Sequence, residues 1–452
     1  MTIPGNIQKY LANYSVGDRW NIVSESFDEI DNVVVIPALA ESGHIFKTLA
    51  SLSKNPRAEL SRTLVVCVIN NGDADNVPAN ELADNQYTLK VLDNREQPPV
   101  LFNSVRQSGL RIAYADVSSP GLEMPDKIAG VGLARKIGMD LALGIFNYEK
   151  DCQKLLFSLD ADTLVEHNYL SAVRNSFEKE KATSSVIAFA HQDADFADEQ
   201  AAICCYEIFL RYYVLGLRRA GSPYAFHSIG STMVCTAGGY VAVRGMNRRR
   251  AGEDFYFLDK LAKIDRMGRI NTTTLHPSPR PSHRVPFGTG KRIISFAEGK
   301  ENAYSLYNPR SFVVLKEWLE YMSSCRDIDS ETILAHAESI HPSLDTFLRV
   351  NRFGQTWRRL AENSGDRGHL CSHFSRWFDG FKTFKLIRYL TNNGLPPVDM
   401  FTTQNSWLRL RLRLYNDIPS IRIVALARLQ SRRLRIQETG DVEEGFDLLF
   451  AE

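Results

Sequence analysis

Two patterns of apolar and polar residues alternate along residues 1–300: short continuous apolar runs, and apolar residues spaced three or four apart. Short runs of β-branched and other apolar residues that end in turn formers are typical of buried strands. Such runs are VVVIPAL (33–39), TLVVCVIN (63–70), RIAYAD (111–116), KLLFSL (154–159) and SSVIAFAH (184–191). Apolar residues at a spacing of three or four, typical of helices, occur at 44–52, 131–146 and 255–261. Alternating strands and helices predict an α/β fold with a mostly parallel sheet flanked by helices.

The pattern changes near residue 300. The apolar spacing in SFVVLKEWLEYM, ETILAHAESI and FKLIRYL is helical, and no further strand run is evident. We therefore predict an α/β domain over residues 1–300 and a mainly helical C-terminal region over residues 301–452.

Charge and cysteine content narrow the class of protein. The 452 residues include 54 Lys and Arg against 53 Asp and Glu, so the basic excess expected of a dedicated nucleic-acid-binding protein is absent. No apolar run is long enough to cross a bilayer, and the first residues do not resemble a signal peptide. The seven cysteines form no Cys-x-x-Cys pair and mostly lie in apolar runs, which favours buried thiols and a cytoplasmic protein.

One segment departs from this balance. Residues 407–437 contain eight arginines and no lysine. A solvated or interdomain helix face explains such a segment, and a peripheral contact with the anionic inner membrane face or with a partner is the alternative. The sequence leaves the oligomeric state open.

Asp-x-Asp occurs four times, and context separates the four pairs. Asp160 and Asp162 directly follow the strand run KLLFSL, which would place them at the carboxyl edge of a parallel sheet. Two hard carboxylates at this spacing can bind a divalent cation, which would in turn bind a diphosphate. The pair at residues 73 and 75 lies within a turn-forming cluster, and the other two pairs lie in polar connections.

A second acidic pair, Glu253 and Asp254, begins the helical stripe FYFLDKL. Acidic residues at a helix start are favoured by the helix dipole, which is the simple explanation. Four arginines precede the pair, at positions 244, 248, 249 and 250, and basic neighbours keep a carboxylate ionised. An ionised carboxylate could abstract a proton from an incoming hydroxyl.

The loop LHPSPRPSHRVPFGTGK (275–291) contains four prolines and ends in Gly-Thr-Gly. His276 ends a predicted strand, INTTTL, and Arg280 and Arg284 could pair with phosphate. A lid over an anionic ligand and an ordinary rigid crossing both fit this composition.

Taken in order, these motifs resemble the family 2 glycosyltransferases, which have the GT-A fold, over roughly residues 30–295. The order comprises IPALAE, VCVINNGDAD, a helix with an Ala-Arg-x-x-Gly core (134–138), the strand-borne DAD, a Gly-Gly-Tyr turn (238–240), the Glu-Asp pair and the strand-ending His276. Each motif is short, and their shared order carries the resemblance.

The resemblance implies a nucleotide pocket. In it, Pro37, Leu39 and Glu41 would shape the pocket, and Asn71 and Arg135 would lie near the base and ribose. The usual acidic turn after the second strand is replaced here by two asparagines, which leaves the contacts to the base open.

The resemblance also implies a metal and a base. Asp160 would approach the ribose or the metal, Asp162 would bind the cation, and His276 matches a further metal ligand of some relatives. Asp254 matches the catalytic base of inverting members, with Glu253 beside it.

The expected protein is therefore a bacterial-type, Mn²⁺- or Mg²⁺-dependent inverting hexosyltransferase. It would move a sugar from a nucleoside-diphosphate sugar to an acceptor hydroxyl on a glycan, lipid or small molecule. The QxxRW motif of processive members is absent, and Lys136 replaces the common Asn after the helix arginine. Two alternatives stay open: a sugar nucleotidyltransferase with a similar fold, and a glycosyltransferase-like module that only binds.

Overall fold

A computed structural model describes residues 3–281, 288–297, 305–324 and 329–399. These residues form two compact units. The first contains residues 3–193 and 228–279, and the second contains residues 194–227, 280–281 and the described residues from 288 onward. The division is thus not the single boundary near residue 300 that the sequence pattern predicts, because residues 194–227 group with the helical C-terminal residues.

The described strands form one eight-stranded sheet in the first unit and a separate pair in the second. They are β1 (Asn32–Ala38), β2 (Thr63–Asn70), β3 (Arg111–Val117), β4 (Leu155–Ser158), β5 (Leu164–Val165), β6 (Ser184–Phe189), β7 (Met233–Thr236), β8 (Gly268–His276), β9 (Ser305–Leu306) and β10 (Val398–Asp399). The order in the large sheet is β3-β2-β1-β4-β7-β6-β8-β5. Neighbours from β3 to β4 are parallel, as are β6 and β8, whereas β7 is antiparallel to both of its neighbours and β5 to β8.

The described residues of both units also form α-helices. They are α1 (Gly5–Tyr14), α2 (Ser42–Leu52), α3 (Arg57–Leu60), α4 (Ala79–Leu92), α5 (Val100–Gln107), α6 (Val131–Ala142), α7 (Tyr169–Glu180), α8 (Ala197–Arg219), α9 (Ala237–Ala242), α10 (Glu253–Ala262), α11 (Thr289–Ala297), α12 (Pro309–Ser324), α13 (Ser330–Ile340), α14 (Pro342–Val350), α15 (Phe353–Glu362), α16 (Arg367–Trp377) and α17 (Gly380–Asn392). Of the helices in the described ranges, none combines the length and the apolar character of a membrane-spanning segment.

The fold class agrees with the sequence pattern: a mostly parallel sheet flanked by helices, with a helical C-terminal region. Strand β2 coincides with the predicted run 63–70, and all of β1 and β2 is buried. Helix α6 ends at Ala142 rather than at 146, because the N–H groups of the next residues bond to carbonyls three positions back and tighten the chain into a turn.

The second unit has its own core of aromatic and aliphatic side chains. Trp318 and Phe312 of α12 are fully buried, and helices α8, α13, α14 and α17 contribute further members of this core. On α8, Gly216 lies against the ring of Phe312, so closely that a Cβ there would approach ring atoms to 2.6 Å. This shared core explains why residues 194–227 group with the C-terminal helices.

Helix α6 packs tightly on the parallel strands through Gly138. A Cβ at this position would approach Cγ2 of Val68 to 2.9 Å and Val35 more closely still, and both belong to buried strands. Such contacts leave no room for a methyl group without moving the helix.

We expect Gly138→Ala to destabilise the protein by about 1–3 kcal/mol, because overpacking a tight core forces backbone shifts. Urea unfolding of the full chain measures this. Gly43→Ala in α2 is the control, since a Cβ there meets no atom within 4 Å. If Gly138→Ala is as stable as Gly43→Ala, the close packing of α6 on the sheet is wrong.

Candidate functional site

The candidate site lies where parallel strands end. Because β1, β2 and β4 run in the same direction, their carboxyl ends meet at one edge of the sheet. Glu41, Asn71 and Asp160 each follow one of these ends within three residues. Ligands of open α/β sheets bind at such an edge.

A buried guanidinium joins two acidic motifs at this edge. Arg135 of α6 is 2% exposed. Its Nη2 donates to Oδ1 of Asp160 and its Nη1 donates to Oε1 of Glu253. Glu253 is itself buried, whereas the side chain of Asp160 is 34% exposed. The structure thus brings together three of the residues that the sequence proposed separately.

Glycines make room for this ion-pair triad. A Cβ at Gly230 would overlap the Arg135 guanidinium, with 2.8 Å to Cζ, and a Cβ at Gly132 would approach the Cβ of Glu253 to 2.9 Å. Only a residue without a side chain fits at these two positions. Neither glycine was among the predicted site residues, since nothing in the sequence relates them to Arg135 or Glu253.

Ser231 is a further site residue that the sequence analysis missed. Its Oγ donates to Oδ2 of Asp160 at 2.6 Å and lies 3.0 Å from Oγ1 of Thr163. Both carboxylate oxygens of Asp160 are therefore engaged, one by Arg135 and one by Ser231. These two hydrogen-bond donors fix the orientation of the carboxylate.

Glu253 and Asp254 form the first turn of α10. Gly252 caps this helix in the left-handed region, at φ 69°, which favours glycine. Asn247 Nδ2 donates to the Glu253 carbonyl at 2.8 Å and holds the preceding loop in place. Oδ1 of Asp254 accepts from the N–H of Phe255 at 2.7 Å.

The electrostatics of the acidic pair suit proton transfer. Burial, reinforced by the negative charge of Glu253, raises the pKa of Asp254 to about 7, although Arg135 opposes the rise. Burial likewise raises the pKa of Glu253, and Arg135 again opposes it. A carboxyl group with a pKa near neutrality can accept and release a proton under ordinary conditions.

The arginines before α10 have other partners. The guanidinium of Arg249 lies 3.8 Å from the ring centre of Tyr256, and Arg250 donates to the backbone carbonyl of Asp126. Among the described residues, the arginine that directly contacts this pair is Arg135, which bonds to Glu253 from a helix more than a hundred residues earlier.

The residues predicted to shape the nucleotide pocket follow β1 closely. Pro37 is buried within β1, Leu39 is half-buried, and Glu41 is 6% exposed with an oxygen 3.4 Å from Nδ1 of His44. Their roles toward a nucleotide stay predictions.

Asn85 of α4 forms hydrogen bonds to residues at the carboxyl ends of both β1 and β2. Its Oδ1 accepts from the N–H of Ala40 at 2.8 Å, and its Nδ2 donates to the carbonyl of Asn70 and to Oδ1 of Asn71. Asn85 is 1% exposed, so these bonds form out of water. A polar residue in the middle of a helix gave no signal of this role in the sequence.

Lys136, which replaces the common Asn, is engaged elsewhere. Its ammonium lies 2.9 Å from Asp140 and donates to the hydroxyl of Tyr10. It is 3% exposed, and Asp140 compensates its charge.

The predicted metal ligands lie on adjacent backbone segments. Nε2 of Gln192 donates to the carbonyls of both Asp162 and His276. His276 Nδ1 lies 2.9 Å from the carbonyl of Ala190, which leaves Nε2 as the ring nitrogen for a ligand; Glu166 lies 3.7 Å from Nε2. Within the described ranges, no group of three or more His, Cys, Asp or Glu side chains is placed to hold a metal ion.

The roles of the two predicted phosphate-binding arginines stay predictions. Arg280 is half-buried and groups with the second unit, and Arg284 lies outside the described residues. The arginine-rich segment 407–437 lies outside them too.

We expect Arg135→Gln to lower the free energy of unfolding by about 3–5 kcal/mol, because it leaves a buried carboxylate without its cation. The double variant Arg135→Gln/Glu253→Gln should regain part of this loss, since it also removes the unpaired charge. Urea unfolding of Arg135→Gln, Glu253→Gln and the double variant gives a double-mutant cycle, which measures the interaction between the two side chains. Strictly additive losses would show that the two side chains do not interact.

No protein-family model matches the chain, and no curated protein matches it in sequence. Solved structures do show similarity. One is S. aureus TarS 1–349 in complex with UDP-GlcNAc, at 11% identity and a TM-score of 0.38, covering 77% of this chain and 91% of that one. Another is the mannosyltransferase PcManGT from Pyrobaculum calidifontis in complex with GDP-Man and Mn²⁺, at 12% identity and a TM-score of 0.35, covering 82% of this chain and 94% of that one.

Proposed function

We propose that the chain is an inverting glycosyltransferase of family 2 that transfers a hexosyl group from a nucleoside-diphosphate sugar to an acceptor hydroxyl. One observation carries this proposal: Arg135 joins Asp160, at a strand end, to Glu253, beside a carboxyl group whose pKa is raised to about 7. The ordered motifs of the sequence and this cluster support the same reaction.

In the proposed reaction, Asp254 accepts the proton of the acceptor hydroxyl. The hydroxyl oxygen attacks the anomeric carbon and forms the new glycosidic bond. The bond from that carbon to the diphosphate oxygen breaks, and its electron pair leaves with the nucleoside diphosphate. Attack from the face opposite the leaving group inverts the anomeric configuration.

Arg135 would act by positioning. Its two ion pairs fix the Asp160 carboxylate at the sheet edge and the start of α10, where Asp254 lies. Its charge also opposes the rise in the pKa of Asp254, so the base is partly ionised near neutral pH. Removal of Arg135 would therefore disturb both geometry and protonation.

The sequence motif and the ring orientation of His276 support a divalent cation, although the described side chains do not form a complete set of ligands. His276 shares a hydrogen bond with a backbone carbonyl through Nδ1, the arrangement that directs Nε2 of a histidine toward a metal. Asp162 and His276 would hold Mn²⁺ or Mg²⁺, with Asp160 oriented beside them by Arg135 and Ser231. When bound, the cation would supply charge stabilisation to the diphosphate oxygens.

A thermal-shift panel of nucleotide sugars and nucleoside diphosphates, each with Mn²⁺ or Mg²⁺ and each with chelator, tests the donor and the cation. A ligand at about 100 times its Kd should add about 2.7 kcal/mol of stability. If no nucleotide sugar raises the Tm, the proposed function is wrong. An equal rise in the presence of chelator would remove the cation from the proposal.

The same panel supplies the substrate for a test of the base. We expect Asp254→Asn to lower nucleoside-diphosphate release from the binding donor by about 10²–10⁴-fold, with donor binding retained. Asp259→Asn on the same helix is the matched control, since Asp259 pairs with Lys263. Release of pyrophosphate from a nucleoside triphosphate in the presence of a sugar 1-phosphate would instead favour the nucleotidyltransferase, and donor binding without any turnover would favour the binding module.

The raised pKa of Asp254 predicts a pH dependence. The base is protonated below its pKa, so kcat/KM should increase with pH and level off above about 7. In Glu253→Gln the like charge that raises this pKa is gone, so the acid limb should move to lower pH. A limb that stays in place, or moves to higher pH, would contradict the assignment of Asp254 as the base.

A further inference from the structure

A cleft in the second unit opens between two amphipathic helices. Three residues near the end of α15 and three near the end of α16 line it, and its volume is about 380 Å³. They are Arg359, Leu360 and Asn363, and His373, Arg376 and Trp377. Spacings of one, three and four residues place each trio on one helix face. Cavities of this volume hold small organic ligands.

The lining carries positive charge that the described residues do not neutralise. It contains two arginines and a histidine but no acidic residue. Among the described residues, neither Arg359 nor Arg376 has a carboxylate within salt-bridge distance. The acid on the connecting turn, Asp366, is engaged with His369, 2.7 Å away, and caps α16. Two guanidiniums without a counter-charge at one cleft favour an anionic ligand.

His373 is oriented by the end of α15. Ser364 Oγ donates its only hydrogen to the carbonyl of Leu360 at 2.6 Å and lies 3.0 Å from Nδ1 of His373. Nδ1 must then carry the proton of that contact. No described residue bonds to Nε2, which is therefore free to accept a hydrogen bond from a ligand hydroxyl.

Apolar surface accompanies this charge. Leu360 and Trp377 are half-buried members of the rim, and Trp377 packs on Phe353 with ring centroids 5.6 Å apart. The ammonium of Lys382 lies 4.8 Å from the Trp377 ring centre and adds a cation beside it. A cleft with an aromatic wall suits a ligand whose anionic group is attached to a ring with an apolar face, as in a sugar.

The structure assigns a second ligand site to this cleft: a site for a phosphorylated saccharide. Its phosphate contacts Arg359 and Arg376, a sugar hydroxyl donates to Nε2 of His373, and its ring lies against Trp377 and Leu360. The site lies wholly in the second unit and does not depend on the proposed transfer reaction.

Calorimetric titration of the full chain with glucose 6-phosphate, inorganic phosphate and glucose tests the site. We expect glucose 6-phosphate to bind more tightly than either of its parts. Arg359→Gln/Arg376→Gln should weaken its binding at least tenfold. Arg358→Gln/Arg367→Gln is the matched control, because it removes two arginines from the same helices at positions outside the lining.

Three results would overturn the assignment. They are no binding of glucose 6-phosphate to the unmodified chain, unchanged binding in Arg359→Gln/Arg376→Gln, and an equal loss in the control variant. Vesicles of phosphatidylcholine with phosphatidic acid form a further arm. If these vesicles bind through Arg359 and Arg376 while the free sugar phosphate does not, the site recognises a lipid headgroup and the saccharide assignment is wrong.

Discussion

The guanidinium of Arg135 is the interaction on which the candidate site depends. It is buried, and it needs both Asp160 and Glu253 because a cation of this size is costly to hold out of water without partners. The converse also holds: without Arg135, the buried carboxylate of Glu253 would lack a cation and would lower the stability of the fold. One side chain of α6 thereby fixes the distance between a strand end of the sheet and the first turn of α10.

This constraint also sets the chemistry of Asp254. Burial and the charge of Glu253 raise its pKa, and Arg135 limits the rise, so the value of about 7 results from opposing effects. Gly132 and Gly230 are part of the same arrangement, because side chains there would overlap Glu253 and Arg135 and separate the ion pairs.

The sequence predicted the fold class and most central strands, because β1, β2 and β4 are buried on both faces and show as continuous apolar runs. It also proposed Arg135, Asp160 and the Glu253-Asp254 pair as site residues, but gave no sign that Arg135 contacts both Asp160 and Glu253. The sequence pattern offers the arginines at 244, 248, 249 and 250 as the basic neighbours of the acidic pair, whereas the arginine that bonds to Glu253 comes from α6. Asn85 and Ser231 were missed because their roles arise from tertiary contacts of common polar residues. The grouping of α8 with the C-terminal helices leaves no signal in the sequence, since an amphipathic helix does not indicate which core it joins.

The division into two units also bears on the candidate site, because the chain re-enters the first unit just before residues that contact Asp160 and Arg135. After β6 the chain leaves the first unit, forms α8 in the second, and returns at residue 228. The first residues after the return are those of the Gly230–Thr232 turn, which brings the Ser231 hydroxyl to Asp160 and leaves space for Arg135. Strand β7 then runs antiparallel to β4, so its first residues must start beside the end of β4, where Asp160 lies. The turn before the antiparallel strand β7 thus supplies the second of the two groups that hold the Asp160 carboxylate, after Arg135.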